Sequence, residues 1–333
     1  QLFVHPSLDS TESIRPMMTI TTSCLAEDKG KMMELLRKAL FHPNFGNIEQ
    51  IKAITTMKHS TFPDAISRKG HTFATLRAAS GLSPSGALKE MWFGVSHHEQ
   101  ISSHIKEDDW NGVSQKMLNI YRNVFRKSKF TAAIHCEQTQ KGEMMSLVNQ
   151  LLGDLKTTEE AQENLEFLKY ALQEFKSSPK THLEIDSSTY FCAVGIKGQA
   201  YTDQMTPFYR LATQLVANEF LHDAIREKLG AYGAFAQHNS VLGASFMFSY
   251  RDTNPRLVMK AFEDAIETMA EGKITQEMVD RAIIQEISSF DRPVAPGSLG
   301  LDHFVELITP EMKDSIREKM LNAKVADILE VAK

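Results

Sequence analysis

A pattern that occurs twice limits what this chain can fold into: a short strand-like run, a polar cap, then two amphipathic helices. In the first copy, an alternating β-branched run over residues 17–24 contains Thr19-Ile20-Thr21-Thr22-Ser23. It precedes a helix capped by Asp28, with an apolar stripe at Met32, Met33, Leu35, Leu36, Ala39 and Leu40. A helix through Ile48, Ile51, Ile54 and Met57 follows. In the second copy, Phe246-Met247-Phe248-Ser249-Tyr250 precedes a helix opening at Asn254-Pro255, and residues 275–287 supply the next helix. Residues 109–124 and 310–321 extend the parallel. A strand cannot satisfy its backbone groups alone. The first copy therefore reads as lacking its opening strands and the second its closing strand.

Between the copies, residues 64–80 read as a helix, and Ser83-Pro84 caps a short one ending at Phe93. Residues 130–136 read as a strand and residues 140–152 as a helix. The segment 153–179 is rich in Glu, Lys, Thr and Gln, with a stripe at Leu165, Leu168, Leu172 and Phe175, and reads as a helical connector. Further on, residues 189–195 form a strand and Thr206-Pro207 caps a long helix. Two strands, 231–237 and 242–250, are split by an Asn239-Ser240 turn. Phe246 and Phe248 share one strand face, expected to be the core face.

Composition narrows the function classes. The 333 residues are 42% hydrophobic and 24% charged, which excludes disordered, collagen-like and fibrous chains. Lys and Arg number 37 against 42 Asp and Glu, a formal charge of −5, which argues against a duplex nucleic-acid binder. Mild acidity suits a basic peptide partner. Cys24, Cys136 and Cys192 form no CxxC pair; they point to a reducing compartment and are expected to be buried small apolar residues. No apolar run approaches the roughly 18 residues that span a bilayer. The start has neither an initiator Met nor a signal pattern, so the chain reads as a processed product or a piece of something longer.

Spacing alone yields no complete active site. No two of the 12 histidines lie four apart, so both HExxH and HxxEH are absent. The densest cluster, His97-His98-Glu99 with His104, is expected to be a solvated polar segment, because adjacent helical positions diverge by about 100°. There is no GxSxG elbow and no phosphate loop. Gly230-Ala231-Tyr232-Gly233 follows a helix and opens a strand, the reverse of a dinucleotide fingerprint. Asp302-His303 could form half of a triad but has no activated nucleophile in view.

One stretch carries more. Arg226-Glu227-Lys228-Leu229-Gly230-Ala231-Tyr232-Gly233, followed by Phe246-Met247-Phe248-Ser249-Tyr250-Arg251-Asp252, resembles the C-terminal half of the M16 (pitrilysin-type) zinc metallopeptidases, in particular their presequence-protease branch. Asp291-Arg292-Pro293-Val294-Ala295-Pro296 and Gly300-Leu301-Asp302-His303-Phe304 resemble that branch too. The resemblance is dense from about residue 220 onward and fainter from 17 to 136. It departs at Leu229, where the branch usually has Gly, so the backbone entering the Tyr232 strand is expected to be less permissive.

The resemblance implies two halves closing around a peptide-sized chamber, each half made of two related domains. It implies one zinc ion and its inverted motif in the N-terminal half, absent from this chain, with zinc-bound water attacking the peptide carbonyl. Tyr232 would then be the catalytic hydrogen-bond donor to the scissile carbonyl oxygen, and Arg226 would hold the substrate backbone. A phenol can stabilise developing oxyanion charge, and a guanidinium fork matches carbonyls or a carboxylate. Without the resemblance, Arg226 late in a helix complements the macrodipole, and Tyr232 is a rim aromatic. Ser249-Tyr250-Arg251-Asp252 reads as structural, with Asp252 and Asn254 ending the strand and capping the next helix.

The expected fold is α+β, with antiparallel sheets carrying helices on one face. Residues 1–152 would form a partial M16-like domain, 153–179 a helical connector and 180–333 a second M16-like domain. The expected function is the C-terminal half of a zinc metalloendopeptidase that degrades unstructured peptides such as mitochondrial presequences. Its expected location is the mitochondrial matrix, and its partners are peptides and the N-terminal half of the same enzyme. This half would be inactive alone. A non-catalytic M16-like subunit or a peptide-binding scaffold is the alternative, and an upstream HxxEH would separate the two.

Overall fold

A computed structural model describes residues 2–124, 130–154, 166–177 and 179–332. The chain opens with a hairpin of β1 (Leu2–Ser7) and β2 (Ser10–Met18). Helices α1 (Lys29–Phe41), α2 (Ile48–Ala79), α3 (Pro84–Phe93), α4 (Val95–Glu107) and α5 (Trp110–Val124) follow. After α6 (Lys141–Gly153) and α7 (Glu166–Ser177) comes β3 (Ala193–Lys197). Helix α8 (Thr206–Leu215) then runs directly into a π-helix, Val216–Glu227. Strands β4 (Gly233–Asn239) and β5 (Ala244–Tyr250) lead into α9 (Pro255–Ala270), α10 (Gln276–Phe290), α11 (Leu301–Glu306), α12 (Pro310–Leu321) and α13 (Val325–Val331).

The architecture is α+β: helices dominate around an antiparallel three-stranded sheet of order β3-β5-β4. Central β5 is covered on both faces. Met247 joins the main core with Leu211, Leu215, Val258, Phe262 and Val279 from α8, α9 and α10. Phe246 and Phe248 do share a face, but it packs against Ala78, Ala79 and Leu82 in a separate cluster. Helix α2 therefore adds a layer beyond the one-face packing expected from the sequence. Burial on both sides explains why β5 reads as a nearly continuous apolar run.

Local signals placed most helices correctly. The Ser83 side chain accepts from Gly86 N–H at 3.1 Å, Asn254 from Leu257 N–H at 3.2 Å and Thr275 from Met278 N–H at 3.3 Å. Asp109 accepts from Gly112 N–H at 2.9 Å. Asp28 sits at the start of α1 but makes no capping bond, and instead pairs with Lys31 at 2.8 Å. The helices read at 48–57 and 64–80 are one element, interrupted not at Pro63 but at Lys69 (φ −125°, ψ 30°). Thr206 lies inside α8, where its hydroxyl donates to the Ala200 carbonyl at 2.5 Å.

Strands depend on partners, and here the sequence reading needs correction. The run 19–24 is not a strand; β2 ends at Met18 because its partner β1 lies upstream. Residues 130–136 also form no strand, and His135 Nε2 instead meets the Leu299 carbonyl at 2.7 Å. Consequently Cys24 and Cys136 are exposed, and only Cys192 is buried as expected. The histidine segment is not simply solvated: it is helix α4, with His98 stacked on Phe62 at 3.7 Å and on His59 at 4.9 Å. In the connector, Leu165 lies outside the described residues, while Leu172 and Phe175 pack on α3.

Candidate functional site

Arg226 and Tyr232 flank the junction where the π-helix gives way to edge strand β4. The π winding continues past the helix: Lys228 N–H donates to the Asp223 carbonyl at 3.0 Å. Gly230 then takes φ +72°, its N–H donating to the Arg226 carbonyl at 3.2 Å, which is a left-handed helix stop. The left-handed residue is Gly230 and not Leu229, so the family's other glycine is not needed for this turn. Leu229 instead packs against the main core, and its carbonyl accepts from Thr253 Oγ1 at 2.9 Å. Tyr232 N–H then bonds the Tyr250 carbonyl at 3.1 Å, placing Tyr232 at the head of the strand.

A groove of about 300 Å³ runs between the π-helix and β4. Asn218, His222 and Arg226 line one wall, Gly233 to Ala236 the other, and Gln285 of α10 closes an end. The helix winding matters here, because π-turns recur at functional sites. Every carboxylate on the π-helix has a partner other than Arg226. Glu219 accepts both Arg281 Nε at 3.0 Å and Nη2 at 2.9 Å, Asp223 pairs with Lys228 at 2.6 Å, and Glu227 faces His222 at 3.9 Å. Among the described residues Arg226 is thus left with its guanidinium uncommitted beside the groove. Tyr232 is 69% exposed, with its ring edge-on to Tyr250 at 5.6 Å.

The Ser249–Asp252 motif is structural, as read, but not as a cap. Asp252 is fully buried and takes a hydrogen bond from Ser249. Its main chain bridges to Tyr190 at 2.8 and 3.0 Å, which ties β5 to the segment leading into β3. Burial raises the Asp252 carboxyl above its ordinary range, and Oδ1 has no partner. Burial likewise pushes the neighbouring Cys192 thiol up to about 12. Only Asn254 caps α9. Periodicity could not reveal the π-helix, because its stripe up to Phe220 reads as ordinary α-helix.

Among the described residues, no three His, Cys, Asp or Glu side chains converge to hold a metal ion. The donor set does not fit zinc here, and no chemical step is routed through it. No helix is long and apolar enough to cross a membrane.

Residues 1–103 match the family model of the peptidase M16 subfamily C associated region, and residues 186–333 match "PreP C-terminal domain". The chain belongs to the presequence-protease branch of the M16 peptidases. It is 28% identical over 318 residues to the mitochondrial presequence protease of Schizosaccharomyces pombe, covering 95% of this chain and 32% of that protein. The Drosophila melanogaster protein of the same name is 26% identical over 335 residues, covering 98% of this chain and 31% of that protein. The chain spans about a third of the length of the curated relatives it matches. Two solved structures share the fold. A conserved protein from Enterococcus faecalis V583 aligns with TM-score 0.56 and 15% identity, covering 99% of this chain and 78% of that one. A peptidase M16 inactive domain from Pseudomonas fluorescens aligns with TM-score 0.54 and 13% identity, covering 92% and 71%.

Proposed function

We propose that this chain is the C-terminal half of a mitochondrial zinc metalloendopeptidase that degrades unstructured peptides such as presequences, and that it supplies the substrate-binding and oxyanion-stabilising side of the site. The names of the relatives support a peptide-degrading role in mitochondria. Zinc belongs to the segment outside this chain, as the described residues offer it no ligand set. The observation that carries the proposal is the placement of Arg226 and Tyr232. One cation is left uncommitted in a groove along an edge strand, and one phenol stands exposed at the head of that same strand.

An extended peptide lying in the groove would run beside β4. The Arg226 fork would hold a peptide carbonyl or carboxylate through charge-assisted hydrogen bonds. The Tyr232 hydroxyl would donate to a carbonyl oxygen as that oxygen gains charge, a contact stronger in the transition state than in the ground state. The neutral amides of Asn218 and Gln285 suit main-chain recognition without regard to sequence.

Kinetics on the full-length protein with one unstructured basic peptide test this. Tyr232→Phe keeps the ring and removes the donor, so kcat should fall by about 10²–10³ with KM little changed. Arg226→Ala should raise KM and lower kcat together. A Tyr232→Phe variant with full kcat and an unaltered melt would reduce Tyr232 to a rim aromatic.

A further inference from the structure

We propose that Tyr250 is a positioning residue for Tyr232, and that the interruption in α2 is what holds Tyr250 in place. This rests on the reading of Tyr232 as the oxyanion donor. Such a donor must lie about 2.7–3.1 Å from the place the oxyanion will occupy, and a misplacement of about 1 Å costs on the order of 10² in rate. Tyr232 cannot hold that position unaided. Its side chain is exposed, and Tyr250 is the one ring that touches it among the described residues.

Tyr250 fixes Tyr232 twice. Its carbonyl accepts the Tyr232 N–H at 3.1 Å, and its ring meets the Tyr232 ring at 5.6 Å and 79°, an edge-to-face contact. Tyr250 is itself confined from several directions. Phe191 lies 5.6 Å away, His71 stands edge-on at 5.0 Å, and the Arg251 guanidinium covers the ring at 5.2 Å. The Tyr250 hydroxyl donates to the Arg68 carbonyl at 3.3 Å.

Arg68, Gly70 and His71 surround the point at which α2 is interrupted, Lys69. Gly70 lets the helix touch the Phe191 ring, since an added Cβ would lie only 2.6 Å from its Cε2 and Cγ. His71 faces Lys69 on its own helix and Phe191, Phe248 and Tyr250 across the gap. Burial and then Lys69 hold its pKa below the ordinary value, so it packs as a neutral ring. A helix from the first part of the sequence thus sets the geometry of a residue in the second.

A double-mutant cycle in the full-length protein tests this, using kcat and KM on an unstructured peptide. Tyr250→Leu should lower kcat by about 10- to 100-fold with little change in KM. Tyr250→Phe, which keeps the ring edge and loses only the tether to Arg68, should retain about a third of kcat or more. In a Tyr232→Phe background, Tyr250→Leu should have no further effect, because the group it positions is gone. If Tyr232→Phe abolishes turnover but Tyr250→Leu costs the same fold in both backgrounds, Tyr250 is a packing residue and the proposal is overturned while Tyr232 stands. If Tyr232→Phe is fully active, the reading of Tyr232 itself falls. A readout independent of turnover is the 19F resonance of 3-fluorotyrosine at position 232. It should move toward the free amino-acid value in Tyr250→Leu, or in Tyr250→Met if the leucine variant does not fold. An unmoved resonance also overturns the proposal.

Discussion

Replacing Gly70 with alanine puts a methyl carbon where α2 meets the Phe191 ring. That carbon would lie 2.6 Å from both Cε2 and Cγ of Phe191, and closer still to Cδ2. Non-bonded carbons settle at about 3.5–4.0 Å, so helix and ring must separate by roughly 1 Å or more. The ring is not free to yield, because Tyr250 lies 5.6 Å and His71 6.5 Å from it. Overpacking of this kind costs about 1–3 kcal/mol, while removing a helical glycine returns up to about 1 kcal/mol. A net loss of about 1–2 kcal/mol is expected, read as a lower urea midpoint at unchanged m. Phe191→Leu shortens the obstacle, so Gly70→Ala should cost clearly less in that background. A Gly70→Ala variant as stable as the wild type, or strictly additive with Phe191→Leu, would refute the close approach.

Other expectations concern charge, thiols and metal. The folded pKa of Asp252 is raised by burial above the ordinary 3.8, so its contribution to stability is full below 3.8 and is lost as pH rises through the folded value. Urea midpoints against pH should show that slope, at most about 1.4 kcal/mol per pH unit, and Asp252→Asn should flatten it; identical slopes would refute this. Iodoacetamide followed by mass spectrometry should label exposed Cys24 and Cys136 in the folded chain and spare Cys192, whose thiol burial raises to about 12, until unfolding. The purified chain should hold substoichiometric zinc and cleave no peptide until the missing half is supplied. One tightly held zinc lost on replacing His97 and His98, or chelator-sensitive cleavage by the chain alone, would contradict that.

What the sequence determined by itself is what local chemistry specifies. Ser83, Asn254 and Thr275 each bond an amide three residues on, so those helix starts are visible to anyone reading along the chain. The short motif from Arg226 to Gly233 was likewise enough to point to the family and to the two residues that flank the groove. Strands were less legible, because the same β-branched run over residues 19–24 is a strand only if a partner arrives, and the partner paired with residues 10–18 instead. Helix α2 shows the same limit: the runs 48–57 and 64–80 lie on either side of Pro63, yet the interruption is at Lys69. Tertiary structure alone decided that α2 covers the second face of the sheet, that the helix carrying Arg226 winds as π, and that Tyr250 reaches back 182 residues to Arg68. Those are contacts between segments far apart in sequence, and no periodicity within either segment encodes where the other will lie.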